Sequence, residues 1–82
     1  MDDKTILEHI HELVAEERGL RASHGAAQQG LGGVERRRLE HIERELDQAW
    51  DLLRQRRARA ESGEDPDAAT PRSVDEVESY LQ

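Results

Sequence analysis

Cysteine is absent from this sequence, and so is phenylalanine; there is a single tryptophan and a single tyrosine. Without cysteine the chain has no disulfide framework, no thiolate ligands for zinc and no thiol nucleophile. Strands favour aromatic and β-branched side chains, which are scarce here, so the composition excludes a β-sandwich or β-barrel. The fold class that remains is all-α.

Long apolar runs are missing as well. No stretch approaches the ~20 apolar residues that cross a bilayer. The opening residues include Asp2 and Asp3, whereas a signal peptide begins with basic residues followed by an apolar run. We therefore expect a cytoplasmic protein with no membrane contact.

Charge is what the chain has in quantity. Of its 82 residues 38% are charged, with 19 acidic residues against 12 Lys and Arg, and the formal net charge is -7. The core of so small a domain supplies only about 3–5 kcal/mol. With no disulfide and no evident metal site, self-association is the remaining source of stability, so we expect a homo-oligomer, most simply a dimer.

Apolar spacing predicts two helices, over residues about 3–22 and 34–60. The first begins at Asp2 or Asp3 as N-cap and has one apolar stripe. The second has a coiled-coil-like seam. The seam residues are Leu39, Ile42, Leu46, Ala49 and Leu53. Between the helices, residues 23–33 are uncharged and contain four glycines, which is typical of a flexible connection. Residues 1–62 are thus expected to form an antiparallel hairpin.

Residues 63–82 form an acidic tail in which Pro66 and Pro71 favour extended backbone. Ser73 and Glu76 then match a capping box that opens a short helix over about 74–81. Because so short a helix does not persist alone in water, we expect it to dock on the second helix near Trp50. A single hairpin leaves one side of its apolar surface uncovered. Pairing two hairpins into a dimeric four-helix bundle would bury that side. The rival is a monomer whose tail helix takes the third position.

Glu8 and His11 have the Glu-x-x-His spacing of di-iron bundles. Both lie well away from the inward direction of their helix, so we interpret them as surface residues. We expect no metal, no cofactor, no catalytic residue and no enzymatic activity. Glu17, on the apolar stripe, is expected to pair with an arginine of the second helix.

The candidate interaction residues surround the end of the second helix. They are Trp50, Arg54, Arg56, Arg57, Arg59 and Tyr80. Three interpretations of the arginines stay open: neutralisation by acids of the same chain, contact with nucleic acid, and contact with an acidic protein partner. The functional hypothesis is a non-enzymatic interaction or adaptor protein. The alternative is a nucleic-acid- or transcription-associated factor that uses the same arginines.

Residues 1–7, 46–58, 65–67 and 74–82 resemble a small family of actinobacterial proteins of unknown function. The stretch 46–58, which reads Leu-Asp-Gln-Ala-Trp-Asp-Leu-Leu-Arg-Gln-Arg-Arg-Ala, is the most specific. The glycine-rich loop 23–33 departs from the more charged connection that the family resemblance implies. The resemblance implies a bacterial cytoplasmic protein whose tail is part of the fold, and it brings no activity or cofactor.

Overall fold

A computed structural model describes residues 2–23 and 32–81, apart from the side chains of Ser23 and Tyr80. Three α-helices, α1 (Asp3–Ser23), α2 (Gly33–Glu61) and α3 (Val74–Leu81), account for most of these residues, and a short 3-10 helix, Pro66–Ala68, lies between α2 and α3. No strand occurs among them, so the predicted all-α class is confirmed. The connection expected at 23–33 falls mainly on residues 24–31, outside the described residues. None of the described helices is both long and apolar enough to cross a membrane.

The helix ends follow from capping residues in the sequence. The Asp2 carboxylate accepts a hydrogen bond from the Thr5 N–H at 2.8 Å, and this bond lowers the pKa of Asp2 because it stabilises the ionised form. At the start of α3, Ser73 Oγ accepts from the Glu76 N–H at 3.1 Å. Just past the end of α2, Gly63 adopts a left-handed φ of 77°, which costs glycine little.

Helices α1 and α2 pack antiparallel around an apolar core. Its buried cluster consists of Ile6, Ile10, Ala49, Leu52 and Leu53. Leu39 and Ile42 of the predicted seam are buried as well. Leu46 of the seam packs against the cluster but is only half-buried. Ala69 of the tail also packs against the cluster. The buried side of α2 is thus wider than a two-helix seam and includes Leu52.

Ion pairs connect α1 and α2 at the end away from the tail. Arg38 donates to both carboxylate oxygens of Glu16, at 2.5 and 2.9 Å, which lowers the pKa of Glu16. Arg21 donates to Glu43 at 3.0 Å. Glu17 pairs at 3.9 Å with Arg21 of its own helix. The expected pairing of Glu17 with α2 is therefore wrong, because Arg21 lies one turn away on the same face.

Helix α3 docks on α2 and runs back along it. The linker between α2 and α3 comprises residues 62–73. The side-chain amides of Gln55 and Gln48 donate to the carbonyl oxygens of Thr70 and Arg72 at 3.1 and 2.7 Å, which holds the linker against α2. Val77 of α3 has no exposed surface. Docking of the tail on α2 agrees with expectation, but it leaves Trp50 exposed over 41% of its surface.

The docked α3 brings an acidic side chain against acidic residues of α2. Half-buried Glu78 has its pKa raised from 4.5, first by loss of hydration and then by the charge of neighbouring Asp47; Glu43 raises it further and Arg44 opposes the shift. The docked state therefore penalises ionised Glu78 relative to the undocked or unfolded chain. Protonated Glu78 therefore favours the folded, docked chain. This contribution to the free energy of unfolding is fully present below pH 4.5, the ordinary pKa, and is lost as pH rises through the raised folded-state pKa.

We expect Glu78→Gln to raise the free energy of unfolding at pH 7, because the neutral amide removes the penalty of an ionised carboxylate beside Asp47. The gain should shrink as pH falls toward 4, where Glu78 is mostly protonated in both states. Urea denaturation at pH 7 and pH 4 measures the difference. Glu12→Gln, at an exposed position of α1, serves as the control. A gain that is equal at both pH values would contradict the electrostatic origin of the effect.

Candidate interaction surface

The four arginines near the end of α2 differ in their contacts; they are Arg54, Arg56, Arg57 and Arg59. Arg56 is enclosed, with 8% of its side chain exposed. Its Nε donates to Asp3 at 2.6 Å, and its Nη1 donates to Asp67 at 2.9 Å and to the Pro66 carbonyl at 3.2 Å. These carboxylates raise the pKa of Arg56 above its ordinary value. Arg56 thus joins the start of α1, the last turns of α2 and the tail.

Arg59 also binds an acid of its own chain. Its Nη1 donates to Glu64, just past the end of α2, at 3.1 Å. Arg56 and Arg59 are thus both paired with acids of the same chain. For these two residues the structure agrees with the interpretation that neighbouring acids neutralise the arginines. The signal in the sequence was the run of acids that begins at Glu61 directly after the cluster.

Trp50, Arg54 and Arg57 share a different face of α2, since residues spaced i, i+4 and i+7 project from one side of a helix. Trp50 is 41% exposed, the Arg54 side chain is 59% exposed, and Arg57 is exposed. Within the described part of the chain Arg57 forms no ion pair, and Arg54 only approaches Asp51, at 3.9 Å. We call these three residues the Trp50 strip.

Tyr80 was the remaining predicted interaction residue. Its backbone belongs to the last turn of α3, but its side chain lies outside the described residues. The Trp50 strip is therefore defined from α2 alone.

Beside the strip, the last turns of α2 and the linker that leads to α3 form an open groove of about 490 Å³. We call it the arginine groove. Its charged and amide-bearing side chains are Asp51, Arg54, Gln55, Arg59, Glu64 and Arg72. Arg72 is not among the residues predicted from the sequence, because it lies far along the chain from the cluster. The available signal was that Arg72 is the single basic residue in positions 61–82.

A second, smaller cavity of about 160 Å³ lies where the linker crosses the α1–α2 contact. Ile6, His9, Leu52 and Pro71 contribute to its lining. Ligand pockets generally hold ~300 Å³ or more. The cavity is consistent with a packing gap under the linker.

Glu8 and His11, the residues with Glu-x-x-His spacing, are both exposed, as predicted. His41 contacts Glu45 of its own helix at 2.8 Å. Across the ranges 2–23 and 32–81, no group of three or more potential metal-ligating side chains converges.

Comparison with known proteins places the chain among actinobacterial relatives. An uncharacterized protein of Mycobacterium tuberculosis strain H37Rv and one of Mycobacterium bovis are each 50% identical to it over 80 residues, which cover 95% of this chain and 88% of each relative. No solved structure matches the chain. A family profile matches residues 2–82. The chain belongs to that family, which is described as a protein of unknown function, DUF2630.

Proposed function

We propose that this protein is a non-enzymatic interaction protein that binds an acidic segment of a partner protein on the Trp50 strip. One observation supports this most strongly. Trp50, Arg54 and Arg57 are exposed together on one face of α2, whereas Arg56 and Arg59 are hydrogen-bonded to acids of the same chain.

The composition of the strip is that of an interface centre. Tryptophan and arginine are enriched among the residues that contribute most to binding energy. Trp50 offers a large apolar contact, and Arg54 and Arg57 follow it by one and two helical turns. Guanidinium groups form paired hydrogen bonds with carboxylates, so an acidic residue one or two turns from an apolar anchor fits the strip.

Charge favours a protein partner over nucleic acid. Phosphate-backbone binding requires several basic side chains on one surface, and the strip has two in a chain of net charge -7. The acids of the tail lie beside this end of α2, as the contacts of Glu64 and Asp67 show. They would repel a polyanion more than a short peptide segment.

We also propose a cytoplasmic location, which the family resemblance implies, and a dimeric assembly. We infer that two α1–α2 hairpins pair into a four-helix bundle, because Leu7, Val14 and Leu46 are only half-buried at the margin of the core. Sedimentation equilibrium at micromolar concentration should show twice the 9.4 kDa chain mass. A species of 9.4 kDa would exclude the dimer.

Affinity capture with variant baits tests the binding function. Wild type, Trp50→Ala and Arg57→Glu are immobilised and exposed to cytoplasm from an actinobacterium that encodes a family member. Arg36→Glu, an exposed arginine at the other end of α2, is the control for a charge reversal. We expect an acidic partner that wild type and Arg36→Glu retain and that both strip variants lose.

Folding and nucleic-acid binding are checked on the same four proteins. Circular dichroism first confirms that each variant keeps the helical content of the parent. Equal retention of all captured proteins by all four baits would contradict the proposal. A salt-dependent mobility shift of labelled duplex DNA or RNA, lost in Arg57→Glu, would favour the nucleic-acid alternative instead.

A further inference from the structure

The arginine groove gathers three guanidinium groups that are separate in sequence. Arg54 and Arg59 come from the last turns of α2, and Arg72 comes from the linker. Their side chains are 59%, 37% and 43% exposed, respectively. Each side chain is therefore partly accessible to a ligand in the groove and partly covered by the protein.

Acids and amides of the same chain lie close to these arginines. The Asp51 side chain is 5% exposed and accepts a hydrogen bond from Gln55 at 3.0 Å. Its two oxygens lie 3.9 Å from Nη2 of Arg54 and 3.7 Å from Nε of Arg72. Glu64 binds Arg59 at 3.1 Å. The backbone at Arg72 is itself held, because its carbonyl accepts from Gln48 at 2.7 Å.

The groove therefore has an excess of positive charge in an acidic protein. Three arginines line it against two carboxylates, Asp51 and Glu64, although the chain as a whole has a charge of -7. An anchored linker lowers the ordering cost of bringing Arg72 to a ligand. These features are those of a pre-formed anion site.

We propose that the arginine groove binds the phosphate group of a small ligand. A carboxylate is planar and pairs with one guanidinium fork, whereas a tetrahedral phosphate has oxygens that can accept from Arg54, Arg59 and Arg72 at once. The volume of about 490 Å³ lies in the range of small-molecule sites and exceeds what phosphate alone fills. Arg54 borders both the groove and the Trp50 strip; Arg59 and Arg72 belong to the groove only.

Titration of the ¹⁵N-labelled full chain with sodium phosphate, at pH 7 and constant ionic strength, tests the site. We expect saturable shifts of the Arg54, Arg59 and Arg72 Nε–Hε signals. Arg59→Gln and Arg72→Gln should each weaken binding about tenfold, the effect of losing one charge-assisted contact. Arg57→Gln and Trp50→Ala, outside the groove, should bind within about twofold of wild type, because they remove no such contact.

A second titration identifies the source of the phosphate. Tighter binding of glycerol 3-phosphate than of inorganic phosphate would support a phosphate ester as ligand, and equal binding would support free phosphate. Three results would overturn the site: shifts that grow linearly without saturation, affinity unchanged in Arg59→Gln with native amide dispersion, or succinate binding as tightly as phosphate. Arg59→Gln removes only the contact of Arg59 with Glu64 at the surface. It therefore still tests the site if Arg72→Gln disturbs the linker.

Discussion

Replacing Leu53 by alanine lowers the free energy of unfolding by about 2–5 kcal/mol, the range for removing a buried leucine side chain. Leu53 is 1% exposed and belongs to the cluster with Ile6, Ile10 and Ala49. A single core in so short a chain supplies only about 3–5 kcal/mol. We therefore expect the helical circular dichroism signal of Leu53→Ala to collapse near physiological temperature.

Leu81→Ala is the matched control, since it makes the same chemical change at a residue that is 51% exposed. Its melting should stay close to the parent, within the ±0.5 kcal/mol or so typical of surface substitutions. Half-buried Leu46 should give an intermediate loss when changed to alanine. If Leu53→Ala melts at the temperature of Leu81→Ala, the core is assigned wrongly.

Arg56→Met should lower the melting temperature and loosen the tail. Arg56 is the one residue that joins Asp3 of α1 to Asp67 and to the Pro66 carbonyl among the described residues. Methionine replaces much of the aliphatic stem but none of these hydrogen bonds. Loss of the contacts should speed hydrogen exchange at the Ala68 and Ala69 amides, which donate within this turn to Asp65 and Pro66.

Arg57→Met gives the matched comparison, because the neighbouring arginine is exposed and lacks an ion pair within the described residues. Thermal denaturation and hydrogen exchange of both variants are measured at pH 7 in the same buffer. Arg57→Met should behave like wild type in both. Equal melting temperatures and equal exchange rates for the two variants would show that the Arg56 contacts do not anchor the tail.

The two arginines also show where reasoning from sequence reaches its limit. Arg54, Arg56, Arg57 and Arg59 are alike in type and local context, so composition could only group them. Their separation into enclosed and exposed residues depends on which face of α2 the linker crosses. That path depends on Gln48 and Gln55 binding linker carbonyls, contacts between residues 15 to 24 positions apart.

The choice of ion-pair partners has the same origin. Glu16 and Glu17 are adjacent acids, and the sequence favoured Glu17 for a contact with α2. The rotation of α1 about its axis places Glu16 opposite Arg38. It leaves Glu17 beside Arg21. A rotation of this kind is set by how two apolar faces fit together.

By itself the sequence determined the helices, their ends and the apolar side of each, because these depend on neighbours within four residues: the spacing of apolar side chains, the caps at Asp2 and Ser73, and the glycine at position 63. Only the tertiary structure decided that Arg56 is enclosed, that Trp50 stays exposed beside Arg54 and Arg57, and that Arg72 joins Arg54 and Arg59 in one groove. Those outcomes depend on the path of the linker and the docking of α3. Long-range packing sets both, and local periodicity does not encode them.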